Sequence, residues 1–120
     1  MDLQKYKIAY RRNEMMNFHY DENPTGGTIT LEGRLTVENL SALKKSLIEA
    51  LIKTDNLILD HNNADEFDFS YLQLLLSIIK TSEQMNKKFS VVKGSPENFR
   101  KLVVKYGFAD INPFSRIFLS

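Results

Sequence analysis

Ser70 is the residue with the clearest chemical potential, because it lies two residues after Asp68 at the expected start of an apolar helix. A serine there can cap the helix, since its side-chain oxygen accepts a hydrogen bond from a free amide of the first turn. It can also act as a switch. A phosphate on Ser70 would meet those amides and the positive end of the helix, and would bring roughly two negative charges to a partner-facing surface. Position alone favours the cap.

Catalysis by the same segment has less support. Ser70, His61 and Asp68 supply the three groups of a hydrolytic triad, but the glycines of a nucleophile elbow are missing. The two histidines, His19 and His61, lie far apart in the sequence, and neither has an evident orienting group. Gly26-Gly27 falls in a predicted hairpin and lacks the lysine and spacing of a phosphate loop. We therefore predict that the protein is not an enzyme and needs no cofactor.

Acidic residues are concentrated just before the predicted helix, at Asp60, Asp65, Glu66 and Asp68. Divalent cations prefer several oxygen ligands, but this spacing matches no calcium loop. The simpler interpretation is a polar loop whose acids cap or solvate the following helix. We predict no metal site here.

The composition excludes several classes of function. The chain of 120 residues has no cysteine, which removes disulfides, thiolate metal sites and cysteine nucleophiles and favours a cytoplasmic location. Its 16 Lys and Arg residues nearly balance 15 Asp and Glu, without the basic stripe typical of nucleic-acid binders. No apolar stretch approaches the roughly 18 residues of a membrane helix, and residues 1–20 show no secretory signal.

Three segments have the apolar spacing of helices. The first, predicted over about 37–53 with Thr36 as its N-cap, is marked by regularly spaced leucines: Leu40, Leu43, Leu47 and Leu51. The second covers roughly 70–86. The third begins at Ser95-Pro96-Glu97, has Tyr106 on its buried face, and ends at Gly107.

Strands are predicted where apolar residues alternate or form short continuous runs, at 6–10, 15–20, 28–32, 56–60 and 89–92. Residues 23–27 form a turn signal and 61–65 a polar loop, while 111–120 could add a short strand or a helix turn. Strand–helix alternation implies parallel neighbours with right-handed crossovers. We predict one α/β domain over 1–120, with a mixed central sheet, an N-terminal antiparallel hairpin and about three main helices packed on the sheet.

Four motifs resemble the STAS domain family, named for sulfate transporters and anti-sigma factor antagonists, over about 28–110. They are Gly33-Arg34-Leu35 with Asn39 and Leu43 at the first helix entry, Leu57-Ile58-Leu59-Asp60 in the central strand, Asp68-Phe69-Ser70-Tyr71-Leu72 at the second helix, and Gly107-Phe108-Ala109-Asp110 after the last helix. Their order and spacing agree with the predicted elements.

The resemblance implies a role for Ser70. In anti-sigma factor antagonists, the equivalent serine or threonine is phosphorylated by a partner kinase that is also the anti-sigma factor, and the unphosphorylated form binds that kinase. Phe69 and Tyr71 stand here in place of the family's preceding Ser and following Gly. The segment is most similar to variants found in small STAS proteins of bacterial chemotaxis and two-component clusters.

We therefore expect a non-catalytic bacterial signalling module that binds a serine/threonine kinase, an anti-sigma factor or a chemotaxis or two-component regulator. We expect no nucleic-acid partner and no direct membrane insertion; a weak homodimer is a further expectation. The partner surface is predicted to include Asp65, Glu66, Asp68, Phe69, Ser70, Tyr71 and Gln73. Two alternatives remain open: a small-molecule or nucleotide sensor, and a non-enzymatic subunit of a transport complex.

Overall fold

A computed structural model describes residues 8–12, 16–23 and 26–119. Its elements, in chain order, are β1 (Ile8–Arg12), β2 (Met16–Asn23), β3 (Gly26–Leu35), α1 (Leu40–Lys53), β4 (Asn56–Asp60), β5 (Ala64–Phe67), α2 (Phe69–Gln84), β6 (Lys88–Val91), α3 (Glu97–Lys105) and α4 (Phe114–Leu119). Predictions that fall on residues 1–7, 13–15, 24–25 and 120 lie outside the described residues.

The strands form one mixed sheet, as predicted. Its order is β1-β2-β3-β4-β6, with β5 also paired to β3. The β1–β2 and β2–β3 pairs are antiparallel, whereas β4 and β5 both run parallel to β3, and β6 runs parallel to β4. The predicted hairpin turn is consistent with the pairing of Asn23 and Gly26.

Strand β3 is longer than predicted and has two successive neighbours on one side. Its first half pairs with β4, where Thr28 lies opposite Ile58. Its end pairs with β5, where Leu35 lies opposite Phe67. Gly33-Arg34-Leu35 therefore belongs to the strand rather than to the helix entry, and the register shifts between Gly33 and Arg34.

The first helix begins later than predicted. Val37–Asn39 forms a short 3-10 turn before α1, and the Thr36 side chain makes no capping hydrogen bond. The Asn39 side chain instead donates to the Arg34 carbonyl oxygen at 2.8 Å. This bond ties the turn back to the end of β3. The predicted apolar face of α1 is confirmed, since Leu43, Leu47 and Leu51 are fully buried.

The regular structure after β6 is helical. Gly107 ends α3 with φ 78°, the left-handed conformation that favours glycine. A 3-10 turn at Phe108–Asp110 leads to α4, whose Phe114 and Phe118 are buried, so the undecided tail is a helix. Over residues 8–12, 16–23 and 26–119, no helix combines the length and apolar character that crossing a membrane requires.

Candidate functional site

The start of α2 is positioned by a strand that overlaps the end of the predicted polar loop, 61–65. Ala64–Phe67 forms β5, which pairs with the end of β3. This pairing brings the first turn of α2 beside the connection between β3 and α1. Two segments separated by about thirty residues therefore meet at the candidate site, as the contact between Val37 and Asp68 shows.

Asp68, and not Ser70, is the N-cap of α2. Its backbone is extended, with φ −133° and ψ 178°, and its Oδ1 accepts a hydrogen bond from the Tyr71 amide at 3.1 Å. Its Oδ2 accepts a second bond from the Val37 amide at 2.9 Å. One carboxylate thus satisfies a free amide of α2 and also holds the turn before α1. Ser70 lies two residues further on, within the first turn of α2, where a residue with helical backbone cannot serve as the cap.

Ser70 is the second residue of α2, and it is half-exposed. Across the residues that the structure describes, its hydroxyl has no hydrogen-bond partner. It faces a groove of about 450 Å³ between α1 and α2. The walls combine apolar, hydroxyl, amide and cationic groups: Leu40, Ser41, Lys44, Ser70, Gln73, Leu74 and Ser77.

An exposed aromatic pair, Phe69 and Tyr106, lies beside Ser70. The two ring centroids are 4.9 Å apart, and the Phe69 ring also meets the buried Phe108 edge-on at 5.9 Å. Phe69 is 40% and Tyr106 43% exposed, so the prediction that Tyr106 belongs to the buried face of its helix is wrong. The Lys105 ammonium lies 5.4 Å from the Tyr106 ring centroid. This arrangement gives the site an amphipathic aromatic rim.

The acidic residues near the site do not converge. Glu66 accepts a hydrogen bond from Arg34 Nε at 3.1 Å, and Arg34 also pairs with Glu38 at 3.7 Å. Asp65 is exposed, and its backbone carbonyl accepts from the Asn98 side chain at 3.0 Å. Within the described residues, no group of three or more His, Cys, Asp and Glu side chains could hold a metal ion.

Tyr71 is fully buried, so its side chain is not available to a partner. Burial raises the pKa of its hydroxyl well above the ordinary value. The Tyr71 hydroxyl lies 2.8 Å from Nδ1 of His61, whose Nε2 lies 2.8 Å from the Ser95 hydroxyl. The sequence assigned Ser95 as the N-cap of the third helix, but its hydroxyl bonds to His61 and α3 begins at Glu97.

His61 sits in an aromatic cage and cannot act as a base for Ser70. Its ring lies 4.5 Å from Phe99, 5.5 Å from Phe67 and 5.8 Å from Phe118, centroid to centroid. Desolvation lowers the pKa of His61 to about 4, so the ring is neutral near pH 7. Both ring nitrogens are engaged elsewhere. The proposed Ser70, His61 and Asp68 triad is therefore not formed.

No signal in the sequence marked the buried network formed by Tyr71, His61 and Ser95. The three residues come from α2, the β4–β5 connection and the loop after β6, so only the tertiary fold brings them together. The network joins the start of α2 to the start of α3. It adds a polar contact to the apolar packing that holds the helix presenting Ser70.

A family model described as "Mlab, STAS domain" matches residues 18–116 of this chain. Among the curated proteins, none matches it significantly.

Solved structures of anti-sigma factor antagonists share the fold. One from Mycobacterium paratuberculosis is 14% identical, with a TM-score of 0.69 over 85% of this chain and 86% of its own. The antagonist SpoIIAA in its unphosphorylated form is 16% identical, with a TM-score of 0.63 over 78% of this chain and 83% of its own. The phosphorylated form of the Bacillus cell fate determinant SpoIIAA is 15% identical, with a TM-score of 0.57 over 87% and 86%. At such identities the likeness establishes a common fold.

Proposed function

Because this chain belongs to the STAS-domain family, we propose that it is a non-catalytic bacterial signalling module that works in the cytoplasm by binding other proteins. The proposed mechanism is partner switching of the anti-sigma factor antagonist kind. The partner is a signalling protein such as a serine/threonine kinase that acts as an anti-sigma factor, or a chemotaxis or two-component regulator.

The observation that carries this proposal is the placement of Ser70. Its hydroxyl is accessible at the head of the α1–α2 groove and beside the pair Phe69 and Tyr106. Aromatic residues that are partly exposed and rigidly supported are favoured anchors in protein interfaces. A partner that inserts apolar side chains into this groove would bury the hydroxyl of Ser70 at the interface.

A phosphate on Ser70 is expected to disturb the binding of a partner more than the stability of the fold. A phosphate on Ser70 would lie in the first turn of α2, where free amides and the helix dipole attract negative charge. The Asp68 carboxylate already occupies the cap and would oppose it, whereas Lys44 lines the same groove. These effects offset one another within the chain. A partner docked on the groove would have no such compensation and would be repelled or left with a desolvated charge.

The related antagonist SpoIIAA has been solved in unphosphorylated and phosphorylated forms, so a protein of this fold exists in both states. This supports the switch for the present chain without identifying its kinase.

The test has two arms, one for phosphate and one for binding. The chain is co-expressed with the serine/threonine kinases of its own genome, and Ser70 is examined by mass spectrometry. Binding of an identified partner is then measured for wild type, Ser70→Glu and Asn63→Glu. Asn63 is an exposed residue of the β4–β5 connection outside the groove, so this variant controls for the added charge. We expect Ser70→Glu to weaken binding by at least about tenfold, and Asn63→Glu to bind like wild type.

Two results would contradict the proposal. Absence of phosphate on Ser70, together with wild-type binding by Ser70→Glu, would eliminate the switch. Wild-type binding by Phe69→Ala as well would place the partner on another surface.

A further inference from the structure

A basic cavity lies at the carboxyl end of β6, outside the Ser70 groove. It has a volume of about 230 Å³ and is enclosed by the loop after β6, by α3 and by α4. Its charged lining residues are Lys93, Arg100 and Arg116, all cationic, and none of the carboxylates that the structure describes lines it. Within the described part of the chain, neither Lys93 nor Arg100 forms an ion pair. The cavity thus concentrates positive charge in a chain whose net charge is only +1.

The loop that forms one wall is held in place. The Lys93 carbonyl accepts a hydrogen bond from the Asn62 side chain at 2.9 Å. The backbone amide of Asn62 donates to Asp60 Oδ1 at 3.1 Å. Gly94 follows with φ 93°, a conformation that L side chains rarely adopt. The loop is therefore fixed against the β4–β5 connection, and Ser95 is presented at a defined place in the wall.

The buried network assigns the Ser95 oxygen the role of a hydrogen-bond acceptor. The Tyr71 hydroxyl is fully buried, and His61 Nδ1 is its partner within 3.5 Å. A buried O–H group requires an acceptor, so Tyr71 donates to Nδ1 and the neutral ring carries its proton on Nε2. Nε2–H then donates to the Ser95 oxygen at 2.8 Å. The proton of the Ser95 hydroxyl is thereby left free to donate into the cavity that Ser95 lines.

We propose that this basic cavity binds a small oxyanion of the phosphate class, with Ser95, Lys93 and Arg100 as its ligands. Guanidinium groups match the oxygens of phosphate in geometry and charge, and the serine adds a neutral donor. The volume exceeds the roughly 30 Å³ share of one water and lies below the roughly 300–1,000 Å³ of pockets for larger organic ligands. It suits inorganic phosphate or a short phosphomonoester. No residue lines both this cavity and the Ser70 groove, so the two sites can be tested separately.

The test is a titration of the whole chain with inorganic phosphate and, separately, with glycerol 3-phosphate, at constant ionic strength. Binding is followed by calorimetry and by amide chemical shifts. We expect saturable binding, with the largest shifts at Gly94 and Ser95. Tighter binding of the monoester identifies a phosphorylated metabolite as the ligand, and equal binding identifies the free ion. Absence of saturable binding of both probes overturns the proposal.

Two neighbouring cations on α3 provide a matched pair of variants. Arg100 lines the cavity, whereas Lys101 pairs with Glu97 at 3.4 Å outside it. Arg100→Gln and Lys101→Gln each remove one positive charge. We expect Arg100→Gln to weaken binding by about tenfold or more and Lys101→Gln to leave it unchanged. Ser95→Ala should also weaken binding. Equal effects of the two charge variants would assign the binding to general electrostatics and refute the site.

Discussion

The buried His61 should make the stability of the fold depend on pH. Its pKa is lowered from 6.5 to about 4 because burial disfavours the charged ring. As the pH falls below 6.5, the unfolded chain takes up a proton at this position while the folded chain does not. The contribution of neutral His61 is therefore fully present above about pH 6.5, and is lost progressively until about pH 4. At about 1.4 kcal/mol per pKa unit, the complete loss is about 3.5 kcal/mol.

The assay is urea unfolding at about pH 7.5 and about pH 4.5 for wild type and His61→Gln. Glutamine retains a donor and an acceptor near Tyr71 and Ser95 but does not titrate. Carboxylates also titrate in this range, so the relevant quantity is the difference between the two proteins. We expect wild type to lose about 2.5 kcal/mol more than the variant between the two pH values.

Two results would refute this reasoning. The first is an equal loss of stability in both proteins, which would mean that His61 is not protonated preferentially in the unfolded chain. The second is an NMR titration of the folded protein that finds the pKa of His61 near its ordinary value. Either result would show that burial does not disfavour the charged form of His61.

Three further substitutions test the site and its supports. Asp68→Ala removes the acceptor of two backbone amides, so urea unfolding should show a free energy of unfolding lower by about 2 kcal/mol. The control Asp68→Asn should lose less. Equal stability of wild type and Asp68→Ala would contradict the capping role. Gly107→Ala should cost about 1 kcal/mol from backbone strain alone, because an added Cβ meets nothing within 4 Å; the more tolerant Gly107→Asn should cost less. Tyr106→Ala should weaken partner binding by about tenfold, because Tyr106 supports Phe69. The melting temperature should change little, because Tyr106 is 43% exposed. Unchanged binding would exclude the aromatic pair from the interface.

Secondary-structure elements were predicted correctly where the local sequence pattern and the tertiary structure agree. The leucine spacing predicted the buried face of α1, and the glycine after α3 predicted the end of that helix. Each feature depends on neighbours within a few residues. Strand β5 was missed for the opposite reason. Its four residues, Ala-Asp-Glu-Phe, show no alternation, and they become a strand only through pairing with the far end of β3.

Some features of the candidate site were also predicted from local sequence, and others depend on tertiary contacts. The importance of the segment around Ser70 was predicted, but its cap was assigned to the wrong residue. Asp68 and Ser70 both have side chains that can cap a helix, and a tertiary contact with the Val37 amide stabilises the choice of Asp68. The roles of His61 and Ser95 could not be predicted, since their hydrogen bond joins residues 34 positions apart.

The attachment of β5 to β3 alone has a consequence for local stability. Strands β2, β3 and β4 each have hydrogen-bonded neighbours on two sides, so their amides are exposed to exchange mainly when the whole sheet opens. β5 has four residues and one neighbour, and the first turn of α2 follows directly from it. β5 is therefore expected to be less protected than the central strands, as are the other edge strands, β1 and β6. We expect the amides of β5 to exchange with solvent before those of β3 and β4, which amide hydrogen exchange would show.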